Sequence, residues 1–488
     1  MTIDAMPSPH DTASGNTPDL DFATVAQQRD WVAEGTVTAR QLVEHSLARI
    51  DALDDTLNAF AYVLRRAARR EADLLDAEQA AGALRGPLHG VPVAIKDEND
   101  VAGLPTAYGG GSVTTPAPED SEVVRRLRAA GAIIIGKTRM PEFGIWPFTE
   151  TSAHGWTRNP WDILRSTAGS SGGSAAAVAS GMVAAAIGGD GGGSIRLPSS
   201  WCGLFGLKTQ RGRSATAPNP DLWKSLGVLG PLTRTVLDSA LVNDVIRGAA
   251  PTDRFDAGEL PGSLEEAAST PPAHPLRIQF AVTNPMGGPK ADALTLKALH
   301  RLDGWLTELG HEVRWEEPDY PKVSVPFTTQ VAAGVAEEAS RVEHPDLLER
   351  RTRGLVRLGR LAAHRVRAAE ARAEALANAF LPGLFASTDI LITPTTPGPA
   401  QQIGRLEGLG TIGSTRRAGA IASYTAIWNV LGNPAAALPV GCTTAGLPLS
   451  AQLVGPPAGE RTILSLAAQI ERAHPWDRRR PDLSAVEL

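Results

Sequence analysis

Two glycine- and serine-rich segments and one lysine that closes an apolar run are the residues best suited to covalent chemistry. The first segment is Gly169-Ser170-Ser171-Gly172-Gly173-Ser174, followed at once by Ala-Ala-Ala-Val-Ala-Ser. Glycines and serines that open a helix present free backbone N–H groups, which suit an anion or a developing negative charge. Three readings compete for it. A flexible loop fits poorly with the abrupt apolar helix, and a phosphate cradle lacks the G-x-x-x-x-G-K-[ST] lysine. The segment also satisfies G-x-S-x-G with Ser171 at its centre. Such a nucleophile elbow needs a strand leading into it, and NPWDILRSTA (159–168) does not read as one.

The second segment runs Gly188-Gly189-Asp190-Gly191-Gly192-Gly193-Ser194-Ile195-Arg196-Leu197-Pro198. Three glycines ahead of a serine allow close backbone approach and aim successive N–H groups one way, as an oxyanion hole requires. A tight turn is the plain structural alternative. Asp190 and Arg196 flank the turn, and a mutual ion pair that holds it rigid suits them better than direct catalysis. The lysine is Lys96, one of seven, at the end of GVPVAIKD. Strand alternation would carry its amine into the interior, where burial disfavours the ammonium and leaves a base. Otherwise it snorkels to solvent or pairs with Asp97. None of the ten histidines stands in a motif with serine or acid partners, and no H-E-x-x-H or Cys/His cluster occurs. Serine with lysine is what remains of the common nucleophilic arrangements, with no metal and no cofactor.

These segments need rigid elements behind them. Val91–Ile95 and Ala132–Ile135 are short apolar runs bounded by Gly and Pro, each suited to a buried strand. Glu122–Ala130 between them reads as a helix, so the two strands form a parallel pair joined by a crossover. Upstream, Thr38 and Gln41 make a capping box for a helix through Leu42, Leu47, Ile50 and Leu53. Further on, 294–309 reads as helix, 311–315 as strand, 331–386 as Arg- and Ala-rich helix, 389–393 as strand and 459–473 as a closing helix. Residues 249–275 are rich in Pro, Ala and acids and read as a surface excursion. Residues 1–20 are polar and read as a mobile tail, with one domain over 21–488. Its chemical core lies at about 85–240, and a helical, substrate-shaping region at about 318–425.

Bulk composition narrows the function classes. The 488 residues are 42% hydrophobic and 20% charged, a soluble globular balance. A net charge of −6 gives no electrostatic case for nucleic acid or an anionic membrane. Cys202 and Cys442 are too few for a disulfide scaffold and read as buried free thiols. The opening residues lack the basic start and apolar core of a signal peptide, and 174–187 is too short to span a bilayer, so the expected location is the cytoplasm.

Together the segments resemble the amidase signature family over about residues 25–475. The resemblance is carried by GPLHGVPVAIKD (86–97), GAIIIGKTRMPEF (131–143), TRNPWD (157–162), GSSGGSAAAVASG (169–181), GGDGGGSIRLPSSWCGLFGLKTQRGR (188–213), GPLTRTVLD (230–238) and GLPLSAQLVGP (446–456). Ser170 and Ser194 stand 24 residues apart, the offset this family uses between its bridging serine and its nucleophile, whereas Ser171 does not fit. The resemblance implies an α/β fold in a single large domain, with a mixed, twisted central sheet covered by helices on both faces. It implies a Ser–cisSer–Lys triad of Ser194, Ser170 and Lys96, with a cis Gly169–Ser170 peptide bond. It also implies an oxyanion hole from the N–H groups of Gly191, Gly192, Gly193 and Ser194, with Ser171, Asp190 and Arg196 in support.

The activity implied is hydrolysis of C–N bonds in small hydrophobic or aryl amides, anilides or carbamates, with esterase side activity, by a monomer or homodimer. Trp146, Phe148 and Trp223 are the expected apolar walls of the pocket. Three departures bear on this. Thr167 and Ala168 stand where many members carry Pro-Gly. Gly191 replaces a common Thr or Ala, which would clear space for a bulkier acyl group. The glutamine-hydrolysing component of the glutamyl-tRNA amidotransferase, also similar, needs a late acid to hold the amino group of glutamine, yet 408–429 contains no Asp or Glu and Ala422 falls at that place. A glutamine-hydrolysing amidotransferase component is therefore the weaker reading. An α/β-hydrolase esterase using Ser171, or a non-catalytic protein with a Gly-rich ligand loop, are weaker still.

Overall fold

Strands made of unbroken apolar residues must be covered on both faces, and here they are. The computed structural model describes residues 18–484 and Val486; the rest of the expected N-terminal tail, residues 1–17, lies outside the described residues. Its main sheet has eleven strands. In chain order they are β1 (Phe60–Val63), β2 (Pro92–Lys96), β3 (Ile133–Thr138), β4 (Ala185–Asp190), β5 (Phe205–Lys208), β6 (Val228–Thr233), β7 (Arg277–Phe280), β8 (Glu312–Trp315), β9 (Ile390–Pro394), β10 (Ala435–Cys442) and β11 (Pro448–Val454). Across the sheet the order is β1-β3-β2-β4-β6-β5-β10-β11-β9-β7-β8. Parallel pairs join β3, β2 and β4, and again β9, β7 and β8, with antiparallel pairs elsewhere. This is one domain built on a mixed sheet flanked by helices, the fold that the resemblance implied.

The period-two rule assigns the faces. Val93 and Ile95 of β2, Ile134 of β3, and Ala185 and Ile187 of β4 share one apolar cluster with the helices Glu122–Ala129 and Val236–Ile246. Ala94, Ile133, Ile135 and Ala186 turn the other way, into a cluster with the helices Ala39–Leu57 and Gly172–Ala179. Lys96 follows Ala94 by two residues, so its side chain runs toward the end of the Gly172–Ala179 helix that carries Ser170 and Ser171. The amine reaches the site because of strand parity.

Most expected elements form. The Thr38–Gln41 capping box closes in both directions, at 3.0 and 2.8 Å, and β2, the helix Glu122–Ala129 and β3 make the parallel crossover. Three expectations fail for local reasons. Within 249–275, Ser263 caps the helix Leu264–Ser269, and Leu264, Ala267 and Ala268 enter the core. Asp162–Ser166 is a strand after all, folded against Arg158–Asn159. The Asn159 carboxamide oxygen accepts the Trp161 N–H at 3.0 Å and tightens the intervening turn. Cys202 is buried, and its burial pushes the thiol up, but Cys442 at the end of β10 is only half-buried. The 331–386 run is three helices, Ser324–Glu338, Arg350–Ala362 and Val366–Phe385. Among the described residues no helix is long and apolar enough to cross a membrane.

Ile187 is fully buried in β4, three residues before Asp190. Ile187→Ala is expected to destabilise the fold by about 2–5 kcal/mol. Urea unfolding measures this, and an unchanged midpoint would mean that β4 is not held as its packing implies.

Candidate active site

The carboxyl ends of parallel strands are where an α/β sheet gathers ligands. Lys96 ends β2 and Asp190 ends the adjacent β4. Lys96 is 1% exposed; its Nζ donates to Ser170 Oγ at 2.7 Å and to the Gly189 carbonyl at 3.4 Å. The pairing with Asp97 does not form, because Asp97 faces the other way and takes Lys137 at 2.9 Å. Glu98, on the Lys96 side, lies 3.1 Å from Nζ. Burial pulls the Lys96 amine below the ordinary lysine value, while Glu98 and Asp190 oppose that shift by attraction.

The two serines of the first glycine segment divide their work. The Gly169–Ser170 peptide bond is cis, and Ser170 is buried with its Oγ against the lysine. Ser171 is fully buried, and its Oγ exchanges hydrogen bonds with the Gly189 backbone, carbonyl and N–H, both at 3.3 Å. Its own N–H donates to the Ser194 carbonyl at 3.3 Å. Ser171 therefore staples the two glycine segments together and is not the exposed nucleophile of an elbow.

Ser194 is half-buried and faces a cavity of about 650 Å³ that Lys96, Ser170, Gly191 and Gly192 also line. The turn before it is held from behind. Asp190 accepts the N–H groups of Gly193 at 2.7 Å and Ile195 at 3.2 Å, and meets the Arg196 guanidinium at 3.0 and 2.9 Å. Despite its burial, the Arg196 charge holds the Asp190 carboxyl well below the usual carboxylate range. Arg196 is fully buried and engages all five of its N–H donors, the remaining acceptors being the Thr425 carbonyl, Gln452 Oε1 and Asn429 Oδ1. The expected ion pair thus forms, deeper than a turn clasp. It also corrects the oxyanion set: the Gly193 N–H is committed to Asp190, which leaves Gly191, Gly192 and Ser194 on the cavity wall.

The apolar walls are partly as expected. Trp146 and Trp223 line the cavity, together with Phe327, Val331, Leu355 and Met286. Phe148 does not; it is fully buried and packs edge-on against Trp201 with ring centroids 5.8 Å apart. The room expected at Gly191 is already filled, since a Cβ there would stand 3.3 Å from the Trp223 indole. Ala422 does line the cavity, so no carboxylate stands at that place. Among the described residues no group of three or more His, Cys, Asp or Glu side chains could hold a metal ion.

Sequence reasoning missed Glu98, although its parity with Lys96 on the chain was a usable signal. It also missed Asn429, which donates to the Asp190 carbonyl at 2.8 Å and carboxylate at 2.9 Å, and Thr425, which donates to the Gly192 carbonyl at 2.7 Å. Replacing Arg196 by Met leaves Asp190 buried and uncompensated, with an expected loss of about 3–5 kcal/mol. Urea denaturation of the variant measures it, and wild-type stability would contradict the pairing.

Known proteins match this description. The Amidase family profile covers residues 41–464. AmiB2 of Mycobacterium tuberculosis is 43% identical over 470 residues, spanning 96% of this chain and 99% of its own. The 6-aminohexanoate-cyclic-dimer hydrolase of Paenarthrobacter ureafaciens is 32% identical over 490 residues, covering 93% and 96%. A solved structure of 6-aminohexanoate cyclic dimer hydrolase superposes with a TM-score of 0.89 at 31% identity, covering 96% of this chain and 99% of that one. A glutamyl-tRNA(Gln) amidotransferase chain of Moorella thermoacetica is 32% identical over 506 residues, covering 96% and 100%. The profile, these relatives and the shared mixed-sheet architecture agree: the chain belongs to the amidase signature family and is an amidohydrolase.

Proposed function

We propose that this enzyme hydrolyses small hydrophobic or aryl amides, anilides or carbamates through an acyl-enzyme on Ser194, with Ser170 and Lys96 as its proton relay. The observation that carries the reading is the 2.7 Å contact between the buried Lys96 Nζ and Ser170 Oγ, in the cavity that Ser194 faces. The neutral amine takes the Ser170 hydroxyl proton as Ser170 takes that of Ser194, and the Ser194 oxygen bonds to the carbonyl carbon. The N–H groups of Gly191, Gly192 and Ser194 receive the oxyanion. An amine leaves poorly unless protonated, so the same proton returns through Ser170 to the departing nitrogen as the C–N bond breaks. Water then cleaves the ester by the reverse path.

The walls support the proposed substrate class. Trp146, Trp223, Phe327, Val331 and Leu355 favour an apolar acyl or amine group, and Ala422 supplies no carboxylate for a substrate ammonium. A relative named for the cyclic dimer of 6-aminohexanoate supports an amide without a free amino group. Esters react as well, because their leaving group is easier. A side-by-side panel of p-nitroanilides, aryl carbamates, fatty amides and the cyclic dimer ranks these choices. Ammonia release from glutamine at a rate above that panel would instead favour the amidotransferase reading.

Ser194→Ala is expected to abolish turnover and labelling by a fluorophosphonate. Lys96→Ala is expected to lose about 10²–10⁴-fold in kcat/KM near neutral pH, the range of general acid–base catalysis, with partial recovery at alkaline pH. The wild-type rate must rise with pH as the Lys96 ammonium loses its proton, since only the neutral amine accepts one. Equal activity of Lys96→Ala and wild type at neutral pH would overturn the base assignment.

A further inference from the structure

Glu98 is a charged residue of this cavity whose role the relay leaves unexplained. Its side chain is 6% exposed and lies 3.1 Å from Lys96 Nζ. It is wedged against β4, where a Cβ on Gly189 would overlap its carboxyl, so a glycine is required there for the carboxylate to reach the amine. The backbone of that same Gly189 is gripped from the other side by Ser171. Carboxylate, amine and bridging hydroxyl therefore share one rigid strand end.

We infer that Glu98 is a positioning residue for the amide hydrolysis proposed above: its carboxylate holds the Lys96 amine against Ser170 Oγ and offsets the positive charge that the amine acquires during attack. The inference rests on that relay. When the Ser194 proton moves to Ser170 and the Ser170 proton to Nζ, a buried ammonium forms. Without a counter-charge such a species is costly to create in the interior. With Glu98 ionised beside it, the step converts a neutral amine and a carboxylate into an ion pair, and the return of the proton to the leaving nitrogen restores the starting pair. No proton or electron is gained from outside.

The charged surroundings of Glu98 are few. Lys96 faces it from β2, and Asp190 at the end of β4 acts on the same lysine. Glu338, from the helix Ser324–Glu338, and Tyr108, from the loop after β2, feel its charge and are themselves raised above their ordinary values, chiefly by burial. Removing the Glu98 charge takes away an attraction that favours the Lys96 ammonium. The neutral amine then persists to lower pH, but the ammonium formed in the reaction loses its partner.

The test uses the whole 488-residue chain and the rate at which a fluorophosphonate labels Ser194, which needs no natural substrate. In Glu98→Gln the acid limb of the rate–pH profile is expected to move roughly 1–3 units lower, with a lower alkaline plateau. Glu98→Asp, which keeps the charge, is expected to stay nearer the wild-type limb. An unmoved limb in Glu98→Gln, a move to higher pH, or equal moves in both variants would overturn the inference. A second measurement does not depend on Glu98→Gln folding alone. Lys96→Met strands the carboxylate, so adding Glu98→Gln to it should raise the melting temperature, and a fall would overturn the pairing. Failure of the relay itself reads differently, as Lys96→Ala labelling at the wild-type rate at every pH.

Discussion

A charge pair without solvent contact holds the site together. Asp190 and Arg196 are both fully buried, and each could remain so only with its full set of partners. The carboxylate takes the N–H groups of the turn that carries Ser194, and the guanidinium reaches Asn429, the Thr425 carbonyl and Gln452. Three distant stretches of chain thus converge on one point: the glycine turn after β4, the helix Ala426–Leu431, and β11 near the centre of the sheet. A turn containing three successive glycines would otherwise be the loosest part of the molecule. The pair converts it into a fixed backbone, with Gly193 at φ 127° and its N–H directed inward. The same commitment decides which N–H groups remain free to meet a ligand.

The sheet supplies the other half of the arrangement. Parallel strands run to a common edge, so β2 and β4 deliver Lys96 and Asp190 to the same end of the sheet. Alternation then separates neighbours in sequence: Lys96 turns to Ser170, and Asp97 turns away to Lys137, which the Pro105 carbonyl and Thr106 hydroxyl complete at 2.8 and 3.0 Å. Two buried lysines, one residue apart in strand register across β2 and β3, therefore acquire opposite characters. Lys137 has a full set of acceptors and serves structure. Lys96 also has three partners, a hydroxyl, a carbonyl at 3.4 Å and one carboxylate, but its hydroxyl is that of Ser170 on the wall of the cavity that Ser194 faces.

Much of this was legible in the chain. The apolar runs around Val93 and Ile134 announce buried strands because their periodicity excludes a solvated face, and the Thr38–Gln41 box marks a helix start by local chemistry alone. Ser170 and Ser194 stand out by glycine context and spacing and Lys96 by closing an apolar strand, while their expected roles come from the family resemblance. What could not be read depends on long-range closure. Asn429 and Gln452 stand more than 200 residues from Arg196, in segments with no pattern of their own. The absence of Phe148 from the cavity wall depends on how the 140–156 segment, with φ 52° at Phe143, winds past Trp201. The helix Leu264–Ser269 was hidden because six residues are too few to show a period amid prolines and acids.

In the proposed relay, burial and a carboxylate act in opposite senses on the same lysine. Burial alone would make Lys96 a ready base and then oppose the ammonium it becomes; a carboxylate alone, in water, would keep the amine protonated and useless as a base. Opposed at one atom, the two effects narrow the free-energy gap between the amine and its protonated form. A proton relay works best when that gap is small in both directions, because the group must accept during attack and release during C–N cleavage. In that proposed relay Ser170 would carry no charge of its own, and the charge change would fall at Lys96, where Glu98 and Asp190 already favour the ammonium.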